Sequence, residues 1–255
     1  MSSRVVVVTG SSSGIGQCIA EKFAIHGDSL IVHGFTNLDG LAVSAHKVAS
    51  TGADMHSIVA DIREQESAMR LVQEAFARRN RVDVWINAAG ADVLTGSAKD
   101  WSFEHKLEQL WKTDVAGTIR ISRAVANRML EQTPADSLPA ILNISWDQAE
   151  QGMEGDSGQL FSPIKAAITA FSKSLAKSVG PRVRVNCIAP GWIQTEWGMT
   201  ASETWDRRAR SESMLDRWGT PQDVANVAWM LASPECEFIN GQTIAVNGGW
   251  KPMVT

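Results

Sequence analysis

The chain reads as a doubly wound α/β domain, a three-layer fold built on a mainly parallel sheet of seven strands. Two observations predict it. Short apolar runs alternate with helix-periodic segments from one end to the other. A glycine-rich turn also sits between the first apolar run and the first helical segment. No linker, repeat or low-complexity tract interrupts the alternation, so residues 1–255 read as a single domain.

The elements follow in order. Arg4 to Thr9, with four consecutive valines, is a buried strand. Ile15 to His26 carries apolar residues at helical spacing. Ser29 to His33 is the second strand and Leu41 to Ser50 a helix. Met55 to Ala60, Val82 to Asn87, Ala140 to Ser145 and Arg182 to Ile188 are further strands, with helical segments between them. Thr243 to Val246 is the last. Residues 191–219 are the least regular stretch and hold Trp192, Trp197, Trp205 and Trp218, which suits a lid.

Composition excludes several classes. Of 255 residues, 44% are hydrophobic and 20% charged, enough for a sizeable core. The net charge of −4 and the lack of a basic run speak against a nucleic-acid partner. No apolar stretch approaches the roughly 20 residues of a membrane span. The N-terminal apolar run is too short for a signal peptide. Cys18, Cys187 and Cys236 lack metal-ligand spacing, so no metal is expected, and the reading is a reduced, cytoplasmic protein.

Gly10-Ser11-Ser12-Ser13-Gly14-Ile15-Gly16 follows the first strand and opens a helix. Glycines there allow a sharp turn and close approach to a pyrophosphate, and a helix N-terminus offers free N–H groups. Three later segments accompany it: Asn87-Ala88-Ala89-Gly90, Asn186-Cys187-Ile188-Ala189-Pro190-Gly191 and Asn247-Gly248-Gly249. In this order and spacing the set resembles the short-chain dehydrogenase/reductases, a Rossmann-type family, and among them the 3-oxoacyl-carrier-protein reductases. The resemblance spans the whole chain.

The resemblance implies a nicotinamide dinucleotide. Its pyrophosphate would lie against Gly10 to Gly16 and its adenine against Asp61 and Ile62. Asn87, Ala88, Ala89 and Gly90 would line the ribose side, and Pro190, Gly191, Ile193 and Thr195 the nicotinamide end. Lys165 would donate to the ribose hydroxyls. Asp61 also suits a helix cap before Glu64. No acid stands after the second strand to accept from a ribose 2′-hydroxyl. Ser11, Ser12, Thr36 and Asn37 are candidate donors to a 2′-phosphate, although Phe35 takes the place of the arginine common in NADP-dependent members. NADP is favoured over NAD. The family also implies a homotetramer or homodimer, through helices around Trp111 and Ala166 to Ala176.

The catalytic set departs from the family. Its tyrosine, four residues before Lys165, is replaced by Phe161, and the chain has no tyrosine at all. Trp146 stands at the catalytic serine and Asp114 at the asparagine. Strand alternation turns the neighbouring Ser145 to the opposite face unless a bulge intervenes. Pro163 is read in a first helical turn, with Phe161 and Lys165 on one face. The loop 146–158 carries four carboxylates, including Asp147 and Asp156, and no cation. With Asp92 it is expected to border the substrate cleft. The histidines at 26, 33, 46, 56 and 105 are expected to lie away from it.

Loss of a general acid removes on the order of 10²–10⁴ in rate. The expected activity is hydride transfer to a polar or amine-bearing small molecule, either an iminium needing no proton or a carbonyl served by Asp147 or Asp156. Non-redox lyase or isomerase chemistry by cleft carboxylates, and a nucleotide-binding pseudoenzyme, are the alternatives.

Overall fold

The computed structural model describes residues 3–133 and 137–251. Seven strands form one sheet in the order β3-β2-β1-β4-β5-β6-β7. They are β1 (Val5–Thr9), β2 (Ser29–Gly34), β3 (Met55–Val59), β4 (Val84–Asn87), β5 (Ala140–Ile144), β6 (Arg184–Pro190) and β7 (Thr243–Val246), and every pairing is parallel.

Strand alternation divides the core. Val5 and Val7 of β1 join Trp85 and Ile141 on one face. That face is covered by helices α3 (Gln65–Ala77), α5 (Thr118–Glu131) and α6 (Gly155–Val179). Val6 and Val8 join Ile86 and Leu142 on the other. There α1 (Gly14–Ile25), α2 (Leu38–Ser50) and α9 (Pro221–Leu231) pack. Burial on both faces explains why the strands read as continuous apolar runs. No described helix is long and apolar enough to cross a membrane.

Three departures from the sequence reading matter for the site. The short helix α4 (Phe103–Leu110) runs into α5 through a π-helical turn, Trp111–Gly117, which carries Asp114. Helix α6 begins at Gly155, so Pro163 lies inside it rather than in its first turn. The missing N–H at Pro163 leaves the Gln159 carbonyl without its usual helical donor. Residues 191–219, expected as a lid, hold two short helices, α7 (Glu196–Met199) and α8 (Glu203–Ser211).

Beneath the strand ends lies a buried polar network. Asn143 Oδ1 accepts from Asn87 Nδ2 at 2.8 Å, and Asn143 Nδ2 donates to Ser172 Oγ at 2.8 Å. Asn87 also donates to Ser122 Oγ at 2.9 Å and accepts from Trp85 Nε1 at 2.9 Å. Together these bonds tie β4, β5, α5 and α6.

Candidate active site

A cleft of about 830 Å³ opens at the carboxyl ends of the strands. It lies where β1 and β4 send the chain to opposite sides of the sheet, the usual place for a ligand in such folds. Its floor at one end is the glycine loop. Gly10 and Gly14 have φ of 66° and 52°, values that favour glycine. A Cβ on Gly10 would stand 2.5 Å from Ala89 Cα, and one on Gly16 would stand 2.2 Å from the Gly10 carbonyl oxygen. Ser13, the N-cap of α1, makes no side-chain capping bond. The first N–H groups of that helix are therefore left for an anion, and the loop fits a pyrophosphate.

His33 fixes this loop from below. Its Nδ1 accepts from Gly10 N at 3.3 Å, and its Nε2 donates to the Ala60 carbonyl at 2.9 Å. Burial lowers its pKa, which favours the neutral ring this pattern requires. His33 thus lines the glycine-loop end of the cleft, closer than the sequence suggested, with both ring nitrogens occupied.

Ser12, Ser13, Ile15, Thr36, Asp61, Ile62, Ala88, Ala89 and Gly90 line the cleft as expected. Three residues do not. Ser11 is fully buried, its hydroxyl donating to the His33 carbonyl and accepting from His33 N. Asn37 caps α2, accepting from Gly40 N at 2.9 Å and donating to the Ser12 carbonyl. Asn87 belongs to the buried network and not to the ribose side. Asp61 does not cap α3, whose N-cap is Glu64. Its carboxylate is held by Arg63, which bonds it through Nε and Nη2 and keeps its pKa below the usual range.

At the other end Pro190, Gly191, Ile193, Thr195 and Lys165 line the cleft. Lys165 Nζ donates to Asp114 Oδ2 at 2.8 Å, in a pair whose side chains are 15% and 2% exposed. Asp114 Oδ1 accepts from Ala91 N at 2.8 Å. The π-helical turn presents Asp114 inward, and such turns often mark functional positions. Phe161 lines the cleft one turn ahead of Lys165 and packs against the apolar cluster formed by Val93, Leu110, Val115, Leu160 and Ile164. Trp146 lines the cleft too. Ser145 is at its edge, with its hydroxyl bonded to the Lys165 carbonyl at 2.9 Å and to Thr169 Oγ1 at 2.8 Å.

The acidic loop borders the cleft through Trp146, Met153 and Ser157, but its carboxylates do not line it. Asp147 faces a separate cavity of about 330 Å³ against β7. Its Oδ2 accepts from Asn247 Nδ2 at 2.9 Å, and burial pushes its pKa up to about 6. Asp156 is exposed in the first turn of α6, outside the cleft. Glu150 pairs with Lys173 at 3.5 Å and Glu154 with Arg208 at 2.7 Å. Two of the loop's four charges, those of Glu150 and Glu154, are thus met by cations from elsewhere in the chain. Asp92 lines the cleft, but its carboxylate accepts from Leu94 N, Thr95 N and the Thr95 hydroxyl of its own turn.

The lid forms an aromatic wall. Trp192, Trp197 and Trp205 line the cleft, with ring centroids 5.5–6.2 Å apart. The Arg208 guanidinium lies 5.7 Å from the Trp192 ring and 5.4 Å from that of Trp205. Buried Glu212 accepts from Arg208 Nε and Trp192 Nε1, each at 2.7 Å, and from Gln148 Nε2 at 3.2 Å. Sequence reasoning missed Arg63, Trp101, Gln109 and Glu196, which also line the cleft. Met153 and Ser157 line it from the loop expected to border it, and Ser157 stands one turn before Phe161 on the face shared with Lys165.

A parallel doubly wound sheet with a glycine-loop cradle and a lysine in the same cleft defines a dinucleotide-binding oxidoreductase fold. A family model described as enoyl-(acyl carrier protein) reductase matches residues 10–251. The chain belongs to the short-chain dehydrogenase/reductase family. It is 32% identical to the 3-oxoacyl-[acyl-carrier-protein] reductase FabG of Aquifex aeolicus, over 98% of each chain. A short-chain dehydrogenase/reductase from Burkholderia xenovorans superposes with a TM-score of 0.83 at 27% identity, covering 98% of each chain. A variant of actinorhodin polyketide ketoreductase, solved with NADPH, superposes at 0.84 with 25% identity over 96% of each chain.

Proposed function

We propose that this protein is a nicotinamide-dependent oxidoreductase, favouring NADPH, that transfers hydride to an iminium-type carbon of an amine-bearing small molecule. The bound dinucleotide would supply the hydride. The observation that carries the reading is the Lys165–Asp114 pair beside Phe161. Positions 146 and 161 offer no hydroxyl to protonate a carbonyl oxygen, and the Ser145 hydroxyl is engaged with α6. An iminium carbon already carries its charge and needs no proton. Asp114 supports this by balancing the ammonium of Lys165, which would otherwise repel a cation. The faces of Trp192, Trp197 and Trp205 favour a cation as well.

Lys165 and the Ala88–Gly90 and Pro190–Thr195 segments would hold the ribose and nicotinamide, while the glycine loop would hold the phosphates. The carbonyl route through Asp147 or Asp156 loses its residues, because neither lines the cleft. A carboxylate-pair lyase loses the same two. Exposed Trp111, 53% accessible, suits burial in a homotetramer or homodimer. The test is NADPH consumption with matched cyclic iminium salts and ketones at neutral pH. Turnover of the iminium alone is the expected result. Equal or preferred turnover of the ketone overturns the proposal, and binding of NADPH without turnover of either points to the pseudoenzyme.

A further inference from the structure

We infer that Arg63 is the residue that discriminates the cofactor's adenosine, reading a ribose 2′-phosphate from the loop after β3. This rests on the proposed nicotinamide-dependent function and deepens it.

The inference begins with a shortage. A 2′-phosphate needs donors and positive charge near the end of β2. Of four polar candidates there, Ser11 is bonded in both directions to the backbone of His33. Asn37 uses its side-chain oxygen to cap α2 and its amide to hold the Ser12 carbonyl. Only Ser12 and Thr36 remain facing the cleft, and neither is charged.

Arg63 fills the gap from a neighbouring strand. Its guanidinium lies 5.5 Å from the ring centroid of Phe35, the residue that follows β2. Phe35, Thr36, Asp61 and Arg63 line the same end of the cleft. The guanidinium is also held from two sides. Nε and Nη2 bond the Asp61 carboxylate at 2.9 and 2.7 Å, and Nη1 bonds Gln109 Oε1 at 2.9 Å. A guanidinium has five N–H groups, so this leaves two, one on each terminal nitrogen. The arrangement is a pre-positioned fork with spare donors, the geometry that suits a phosphate. Phe35 therefore acts as the platform for an arginine rather than as the loss of one.

The test is binding. Wild type, Arg63→Ala and Arg63→Lys are titrated with NADPH and with NADH, following quenching of tryptophan fluorescence. In Arg63→Ala, NADPH is expected to weaken by about tenfold or more while NADH stays within about twofold. Arg63→Lys keeps the charge without the fork and should fall between the two. Added salt should weaken NADPH more than NADH in wild type, and less so in Arg63→Ala. Equal weakening of both nucleotides overturns the inference, because Arg63 would then only be holding Asp61 in place. An unchanged preference in both variants overturns it as well. Failure of wild type to bind either nucleotide overturns the proposed function itself, and the inference with it.

Discussion

Replacing Asp114 by asparagine tests the electrostatics of the site directly. Asn keeps an oxygen for the Ala91 N–H, which Asp114 now accepts at 2.8 Å, so the π-helical turn retains its bond. What disappears is the negative charge 2.8 Å from Lys165 Nζ and, with it, the acceptor there, since the amide NH2 that replaces Oδ2 cannot accept from the ammonium. With an effective dielectric near 20, a cation roughly 6 Å from Nζ and in line with the pair is repelled by about 1 kcal/mol while the pair is intact. Without Asp114 the repulsion rises to about 3 kcal/mol. The difference of about 2 kcal/mol corresponds to about 30-fold in rate or affinity. The assay is the affinity for an iminium salt and for a neutral ketone of the same shape, titrated against the NADP-loaded protein by tryptophan quenching, in both proteins. The expected result is a fall of about 30-fold for the iminium, shrinking in high salt, with little change for the ketone. A ratio of the two substrates that stays within about twofold would refute the reasoning. So would an equal fall for both, which would assign Asp114 to positioning Lys165 alone.

Four further outcomes follow from the geometry. Phe161→Tyr should give little ketone reduction by itself, because Asp114 holds Lys165, whereas Phe161→Tyr with Asp114→Asn should recover part of the 10²–10⁴ typical of a general acid, measured as ketone-dependent NADPH oxidation. Gly10→Ala would drive a Cβ into the Ala88–Ala89 backbone, so nucleotide binding should be lost and Tm should fall by several degrees in a thermal melt. Asp147, with its pKa raised by burial from 3.8 to about 6, favours the folded state most below about pH 4, and that stabilisation is lost as pH rises through 6. Asp147→Asn should therefore melt higher than wild type at pH 8, by up to about 5 °C, and lose the advantage at pH 4, as read by calorimetry. Arg208→Ala leaves buried Glu212 without its cation and Glu154 without its partner, so the lid should loosen, with a red-shifted tryptophan emission and a Tm lower by several degrees.

The glycine turn between β1 and α1 was legible in the sequence because its constraint is local. A glycine needed for a left-handed turn, set between an apolar run and a helix, declares its own role. The strand pattern was legible for a similar reason, since two-sided burial writes itself as consecutive valines. What failed was pairing between distant segments. Asn87 looked like part of the ribose wall, but Ser122 and Asn143 draw it into the core. The acidic loop looked unbalanced because Lys173 and Arg208 lie elsewhere in the chain. Arg63 was overlooked beside Asp61 because only the fold brings it over Phe35. The proline misled by position: it was read in a first helical turn, but the helix holding Pro163 already starts at Gly155.

The polar network around Asn143 has a consequence for what the residues above it can tolerate. It braces β4, β5, α5 and α6 without a single bond to Asp114, Trp146 or Phe161. Side chains at these three positions can therefore be exchanged one at a time while the frame beneath them keeps its bonds. Substitution there alters the cleft without drawing on the stability of the fold.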